Sequence, residues 1–342
     1  MDHTVRDRPS PSLEGLTDEI DVDHESAIPL AAAAARDRAR RVGLPGAMPD
    51  QAAVLASELA GNLVKHAAGG TVYIQPLPHG EGVEITAVDR GPGILDLDRS
   101  LTDGYTTAAG SLGAGLGAVR RIASEFAIRT RPGSGTLVSA RLVAPDAVRP
   151  TRWRVGSVCL PAREERYCGD ACAVAETDDS LTCLVVDGLG HGVSAAEAAR
   201  SALRSFHTAP DRPLGEILTT LHRALRHTRG AAAGVLRLHS DRAEYCGIGN
   251  VRAVVLSGGE IAHRMAGQPG IVGWNVPTPR ARTVTLEPGA GVVLHSDGIE
   301  SRWSHNPSTF LLRLPPPLLA AALAHDHRRT RDDATVLAVR AA

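Results

Sequence analysis

The sequence is poor in aromatic residues, with three Trp, four Tyr and three Phe in 342 positions. A stacking platform for single-stranded nucleic acid needs several aromatic faces on one surface, and none is expected here. An excess of either charge is also missing: 37 Lys and Arg stand against 38 Asp and Glu, for a net charge of −1. A chain so balanced has no electrostatic pull toward a polyanion or an anionic bilayer, so neither nucleic acid nor membrane is expected as a partner. No apolar run approaches the ~20 residues of a spanning helix. The opening "MDHTVRDRPSPSLEG" is polar and contains Pro and Ser, unlike a signal peptide. The five cysteines, Cys159, Cys168, Cys172, Cys183 and Cys246, form no C-x-x-C pair. An odd count without that spacing points to reduced, half-buried thiols rather than a disulfide framework. Together these absences lead us to expect a soluble, cytoplasmic protein.

What is present is an ordinary globular composition, 43% hydrophobic and 22% charged, in a length comfortable for two domains. Residues 1–19 read as a disordered lead. "EIDVDH" reads as a first strand, Pro29 to Val42 as a helix closed by Gly43, and residues 49–67 as a second helix with Leu55, Leu59 and Leu63 in one stripe. Strands are expected at 71–77 and 82–89, a helix at 115–126, and strands at 127–131 and 135–143. That order suits a sheet with helices on one face. "APDAVRPTRW" has two prolines and no periodicity, and marks a boundary. The domains are therefore placed at 20–145 and 153–342, with a linker at 146–152. The second half reads as many short antiparallel strands with helices at 193–207, 213–227 and 316–325, hence two packed sheets covered by helices.

In the first half, Glu58 and Asn62 lie four apart on the second helix, with Lys65 and His66 following on the same side. A carboxylate and a carboxamide one turn apart can orient a water and hold Mg²⁺ through oxygen; alone, the pair also fits a solvated helix face. "AVDRGPGI" places Asp89 at a strand end with Gly91 and Gly93 behind it, where backbone can approach a ligand closely. "GSLGAGLGAVRR" runs a loop with Gly113, Gly115 and Gly117 into a helix, and exposed N–H groups there can cradle phosphate. Thr136 follows on a later strand. Taken in this order, residues from about 20 to 143 resemble the GHKL ATPase superfamily, most closely the small bacterial anti-sigma-factor serine kinases. The resemblance implies ATP as cofactor, Glu58 as general base, and Asn62 as Mg²⁺ ligand. It implies further that Asp89 meets adenine with Gly91, Gly93 and Thr136 nearby, and that Gly113, Gly115 and Gly117 wrap the phosphates.

In the second half, "DACAVAE" and "LTCLVVD" are joined by "TDDS". A hairpin turning between Asp178 and Asp179 sets Asp170 directly opposite Asp187 on one sheet face, with Cβ atoms about 5 Å apart. Two carboxylates so placed repel unless a cation lies between them. A slip of one residue would separate them onto opposite faces. "GVVLHSDGIE" ends in Asp297-Gly298, and "RTRDDATVLAVR" carries Asp332 and Asp333 before the last strand. Asp-Gly after a strand is most often only a turn, but four acidic sites at strand ends in one domain form a pattern. Oxygen donors without a His/Cys cluster favour Mg²⁺ or Mn²⁺.

The motifs "CGDACAV", "VVDGLGHGVSAA", "HSDGIES" and "RDDATVLAV" make residues from about 152 to 341 resemble the PPM metal-dependent Ser/Thr phosphatases, in their sporulation and stress-response branch. The resemblance implies two divalent ions held by Asp170, Asp187, the Gly188 carbonyl, Asp297 and Asp332, with Asp333 the alternative to Asp332. The arginine that helps hold phosphate in larger relatives has no clear match; Arg163 and Arg166 are candidates. His191 reads as a general acid or, more simply, as support for its loop. The expected fold class is α+β, a GHKL α/β sandwich followed by a PPM-type α-β-β-α sandwich. The expected function is a serine kinase fused to a phosphoserine/phosphothreonine phosphatase, acting on a STAS-type antagonist in a sigma-factor network. In the alternative, the ATP domain only binds nucleotide and a partner.

Overall fold

The structure, a computed structural model, describes residues 17–78, 81–101, 115–145, 152–177 and 179–341. The first half runs β1 (Asp18–Val22), α1 (Ala27–Arg41), α2 (Met48–Asn62), β2 (Gly70–Pro76), β3 (Gly82–Val88), α3 (Leu97–Ser100), α4 (Gly115–Ile122), β4 (Glu125–Arg131) and β5 (Gly135–Val143). Its strands form an antiparallel sheet in the order β1-β2-β3-β5-β4. On α1, Ala27, Ala31, Ala35 and Ala39 recur every fourth residue and are buried, so α2 packs close against it. Leu55 and Leu59 of α2 join Val72, Ile74, Val83, Ile85 and Val138 in one core between helices and sheet.

The second half runs β6 (Trp153–Leu160), β7 (Asp170–Glu176), β8 (Leu181–Gly188), α5 (Val193–Thr208), α6 (Leu214–Ala224), β9 (Ala231–Leu238), β10 (Arg242–Ile248), β11 (Arg252–Ser257) and β12 (Glu260–Ala266). It closes with β13 (Arg282–Thr285), β14 (Gly291–His295), α7 (Thr309–Leu312), α8 (Pro316–His327) and β15 (Ala334–Ala341). Two antiparallel five-stranded sheets result, β13-β10-β9-β8-β7 and β12-β11-β14-β15-β6. Val155, Leu181, Cys183, Val185, Leu294 and Leu337 fill the space between them. Helices α5 and α6 cover the first of these sheets through Ala198, Ala202, Phe206 and Leu218. Helix α8 covers the second; a Cβ on Gly156 of β6 would collide with the backbone of Pro316 and Pro317, so the close approach requires glycine.

Helix α8 is buried on every side from Pro316 to Ala324, because a third sheet lies on it. Tyr73, Val88 and Leu137, on the face of the first-half sheet turned away from α1 and α2, pack with Leu318, Leu319 and Leu323. The molecule is thus six layers deep, with α8 shared between the halves. Polar side chains on that face are buried with it. Gln75 donates to Glu84 and to the Ser157 carbonyl, and Arg141 donates to Glu84 and to the Val155 carbonyl. At the margin, Arg90 pairs with Asp326 at 2.7 Å and Arg328 pairs with Glu19.

Several expectations shift at their edges. The helix expected at 115–126 stops at Ile122, since Glu125 and Phe126 already pair with Arg141 and Ala140 in the sheet. The helix expected at 49–67 is α-helical to Asn62 and then widens into a π-helical turn, Leu63–Ala67, closed by Ala68 at φ 55°. Residues 17–19 of the expected lead are ordered: Thr17 N donates to the Cys159 carbonyl at 3.1 Å and β1 starts at Asp18. Four of the five cysteines are buried and Cys172 is intermediate, and none of them is in a disulfide among the described residues. Gly113, Asp178 and most of the expected linker lie outside the described residues.

Candidate active sites

The second-half site forms where the two inner sheets end together. Asp170 opens β7 and pairs across the ladder with Asp187, in the register the turn length predicted. Asp170 is 4% exposed. Its Oδ2 accepts from Ser296 Oγ at 2.6 Å, while Oδ1 is buried with no partner. Burial, and then the Asp187 charge, push the Asp170 carboxyl well above the usual carboxylate range. Asp187 Oδ2 accepts from Asn250 Nδ2 at 2.9 Å. Its carboxyl is pushed up to about 7, first by burial and next by Asp297.

Gly188 donates to the Gly169 carbonyl at 3.0 Å, and a Cβ there would lie 2.5 Å from the Ala195 carbonyl oxygen. Only glycine lets α5 start so close behind the strand. Asp297 follows β14. Asp332 is half-buried, and burial and then Asp297 raise its carboxyl.

The neighbouring pair separates by its hydrogen bonds. Asp333 is 3% exposed. Its Oδ1 accepts from Ala162 N at 2.8 Å and its Oδ2 from Gly169 N at 2.9 Å. Both oxygens thereby pin the loop between β6 and β7, whereas Asp332 accepts only from the Asp333 backbone N–H, at 3.0 Å. The Asp332 charge acts on Asp187 and the Asp297 charge on Asp332, while Asp333 acts on Asp170.

Among the described residues no three His, Cys, Asp or Glu side chains are already gathered at metal-holding spacing. The donor set nevertheless fits divalent cations. A buried carboxylate oxygen without a partner, opposite a second carboxylate that burial and a third acid discourage from ionising, is unfavourable until a cation neutralises it. The oxygens are hard donors, as Mg²⁺ and Mn²⁺ prefer.

Around these acids the structure shows partners that sequence reading missed. Ser296 sits inside a motif already noted but is one of many serines; Asn250 comes from a turn between β10 and β11 that carries no signal. His191 Nδ1 lies 2.6 Å from Glu165 Oε1 and ties the Gly190–Gly192 turn to the loop before β7. The loop role of His191 is the one this contact serves. Arg163 is 73% exposed along its side chain and faces Asp21 at 3.5 Å, and Arg166 lies 5.8 Å over the Tyr167 ring.

The first-half site is assembled around the end of α2. A Cβ on Gly115, at the start of α4, would stand 3.2 Å from Asn62 Oδ1 and 3.4 Å from Glu58 Oε2. The glycine helix start therefore abuts the acid–amide pair. Asn62 Nδ2 is buried with no partner. Asp89 Oδ1 accepts from Gly91 N at 2.7 Å and from Thr136 N at 3.2 Å. Among the described residues no hydrogen bond reaches Oδ2. Burial raises the Asp89 carboxyl while the Gly91 and Thr136 amides pull against it. Gly93 has φ 72°, and a Cβ there would lie 2.5 Å from the Arg131 carbonyl oxygen. A Cβ on Gly91 would lie 2.8 Å from Ala67 Cα, so the Asp89 loop rests on the π-helical turn just past Asn62. Glu58, Asn62, Gly115, Asp89, Gly91, Gly93 and Thr136 thus line one region, with Gly117 buried inside α4.

A pair of domains, one with the layout of an ATP-binding sandwich and one with that of a metal-dependent phosphatase, is the class these observations define. Residues 21–142 match the family Histidine kinase-like ATPase domain, and residues 177–342 match Stage II sporulation protein E (SpoIIE). The chain is a fusion of a GHKL-like ATPase domain with a SpoIIE-type PPM phosphatase domain. Asp170 falls just before the matched stretch, so its place in the site comes from the ladder. The chain is 40% identical over 86 residues to the Serine/threonine-protein kinase RsbT of Bacillus subtilis (strain 168), covering 25% of this chain and 64% of that protein. A solved structure described as "The bacterial stressosome: a modular system that has been adapted to control secondary messenger signaling" is 31% identical, with 56% of this chain and 100% of that chain covered and a TM-score of 0.52. RsbX in complex with magnesium is 22% identical, with 57% and 98% covered and a TM-score of 0.49.

Proposed function

We propose that the chain is a bifunctional switch regulator. Its first half transfers phosphate from ATP to a serine or threonine of a small STAS-type antagonist, and its second half removes phosphate from the same or a related protein. The observation that carries this reading is Asp170 opposite Asp187 with the unpartnered, buried Asp170 Oδ1. The similarity to the serine/threonine-protein kinase RsbT supports the kinase role, and that to a structure described in a stressosome context supports a place in a stress-signalling network.

In the phosphatase half, Asp170, Asp187, the Gly188 carbonyl, Asp297 and Asp332 would hold two divalent ions, Mn²⁺ or Mg²⁺. When bound, such ions polarise the phosphoryl oxygens and make water acidic enough to attack near neutral pH. The chain's own groups prepare that chemistry. Ser296 fixes one oxygen of Asp170 and leaves the other buried without a partner. Asn250 orients Asp187, and Asp333 locks the loop that carries Gly169. Hydrolysis forms a bond from the water oxygen to phosphorus, breaks the bond to the seryl oxygen, and passes a water proton to that oxygen.

In the kinase half, Asn62 would hold Mg²⁺, and Asp89 Oδ2 would accept from the adenine amine. Gly115 and the helix behind it present N–H groups to the phosphates, as Gly113 and Gly117 are expected to assist. Glu58 takes the proton of the incoming hydroxyl while its oxygen bonds the terminal phosphorus and the bond to ADP breaks.

Incubation of the full chain with labelled ATP and purified STAS-type proteins tests the kinase half, and release of phosphate from the labelled product with Mn²⁺ tests the other. ATP binding with no label on any antagonist reduces the first domain to a binding module. No Mn²⁺-dependent release overturns the phosphatase reading.

A further inference from the structure

Two of the three tryptophans are buried, Trp153 at 5% and Trp303 at 2%, while Trp274 is 63% exposed. Trp274 is nonetheless held firmly. It sits in a tight turn closed by the Ile271–Asn275 bridge, with Asn275 N donating to the Ile271 carbonyl at 3.0 Å. Gly273 takes φ 104° and donates to His222 Nδ1 of α6 at 3.1 Å. The indole Nε1 donates to the Thr228 carbonyl at 3.3 Å. The indole N–H holds the turn while most of the ring stays in solvent, and fixed exposed aromatics are typical of contact surfaces.

The position of this side chain gives it a use. Val272 exchanges backbone hydrogen bonds with Ala231, and Ala231 pairs with Gly188 of the metal-site strand. A Cβ on Gly230 would lie 3.3 Å from Trp274 Cδ1, and the Gly230 carbonyl accepts from Leu189 N at 3.0 Å. Leu189, two residues past Asp187, is itself 37% exposed, and Val193 at the start of α5 is 46% exposed. These are three of the six large exposed hydrophobics among the described residues. Beside them, Arg229 Nη1 lies 3.2 Å from where a Cβ on Gly190 would stand. The rim of an otherwise acidic site therefore carries an apolar lip and a cation.

We propose that Trp274 and Leu189, continued by Val193, form a docking lip for the phosphorylated segment of the substrate protein. The lip takes an apolar side chain next to the phosphoserine, with Arg229 on the phosphate side. The proposal rests on the phosphatase reading of the acidic site. The occupant follows from charge and continuity. An anionic group suits both the cations that the carboxylates call for and Arg229, and the apolar side chains next to that group are Leu189, two residues past Asp187, and Trp274, joined to Leu189 through Gly230.

The test compares two phosphoserine decapeptides on the full Mn²⁺-loaded chain, one with Leu and one with Gly on both sides of the phosphoserine. Wild type is expected to favour the Leu peptide about tenfold in kcat/KM, a ratio equivalent to about 1.4 kcal/mol. W274A is expected to bring the ratio to about one, and W274F to keep most of it. A wild-type ratio near one, or an unchanged ratio in W274A with both peptides slowed, overturns the lip. Hydrolysis of p-nitrophenyl phosphate by wild type separately tests the phosphatase reading. If that fails, anisotropy of the labelled peptides decides: tighter binding of the Leu peptide, lost in W274A, upholds the lip, and equal binding overturns it.

Discussion

Asp170 and Asp187 face each other across a single rung of the β7–β8 ladder, both largely withdrawn from water and each bonded to one neutral side chain, Ser296 and Asn250. Two acids in that relation are costly to a metal-free protein. The Asp187 carboxyl rises from 3.8 to about 7, first through burial and next through the Asp297 charge. The unfolded chain releases this proton near pH 3.8 and the folded one near 7, so metal-free stability falls as pH rises across that window.

Asp187→Asn removes the burden. In EDTA the variant is expected to match wild type near pH 4 and to be more stable by about 1–3 kcal/mol at pH 8, below the ceiling of about 4 kcal/mol that the shift implies. Mn²⁺ should raise the melting temperature of wild type and not of the variant, and phosphatase activity should vanish. Thermal melts at pH 5 and 8 check this; an unchanged gap between the two pH values, or full activity, would refute Asp187 as a ligand.

A second titration runs in the opposite direction. His295 is 1% exposed, with Nδ1 2.8 Å from the Ser296 carbonyl and Nε2 facing Trp303 Nε1 at 3.4 Å. The two contacts fix the tautomer: Nδ1 carries the proton and Nε2 accepts. A further proton has nowhere to go, and burial pushes the imidazole down to about 4 from 6.5. The unfolded chain binds that proton first, so stability falls as pH drops from 6.5 to 4, by about 3 kcal/mol for this residue. Urea titrations at pH 7 and 4 should show a loss in wild type that exceeds the loss in His295→Gln by about that amount. Equal losses would count against the assignment.

The interface between the halves makes a third prediction. Arg141 and Glu84 form a buried ion pair, and Arg141 also bonds the Val155 carbonyl in the other half. Arg141→Ala leaves Glu84 buried without its partner and should cost about 3–5 kcal/mol, most of it recovered when Glu84 is also made apolar. All three tryptophans lie in the second half. Because α8 is packed from both sides, tryptophan fluorescence should nevertheless report the destabilisation. A tryptophan transition that stays in place while circular dichroism shows early loss of structure would mean that the halves unfold independently.

How much of this was legible in the sequence depended on the range of the interaction. The Asp170–Asp187 rung could be read because a short turn and strict alternation fix register within one hairpin. Gly93 beside Asp89 could be read because its backbone takes φ 72°, a local geometry that favours glycine. Ser296 and Asn250 could not, since their partners lie far away in the chain and nothing local marks them. Asp332 and Asp333 were inseparable until the Ala162 and Gly169 amides were seen on Asp333. The outer face of the first sheet, with Gln75, Glu84 and Arg141, reads as a solvent face by residue type, yet it is covered. The matching signal was in α8: "PPLLAAALA" is apolar on every side, as only a helix covered on all faces can be.

The nucleotide site yields the last prediction. Asp89 Oδ1 is held by the Gly91 and Thr136 amides, and no hydrogen bond reaches Oδ2 among the described residues. Asp89→Asn can keep its carbonyl oxygen on both amides while turning an NH₂ toward the place of the adenine amine, so donor meets donor. Losing a hydrogen bond to a charged group costs about 1.5–3 kcal/mol. ATP affinity should therefore fall at least tenfold, with a melting temperature within about 2 °C of wild type because the internal bonds survive. Calorimetric titration with ATP and Mg²⁺ measures the first and a thermal melt the second. Undiminished affinity would remove Asp89 from the base pocket, and a large drop in melting temperature would show that its carboxylate serves the fold rather than the ligand.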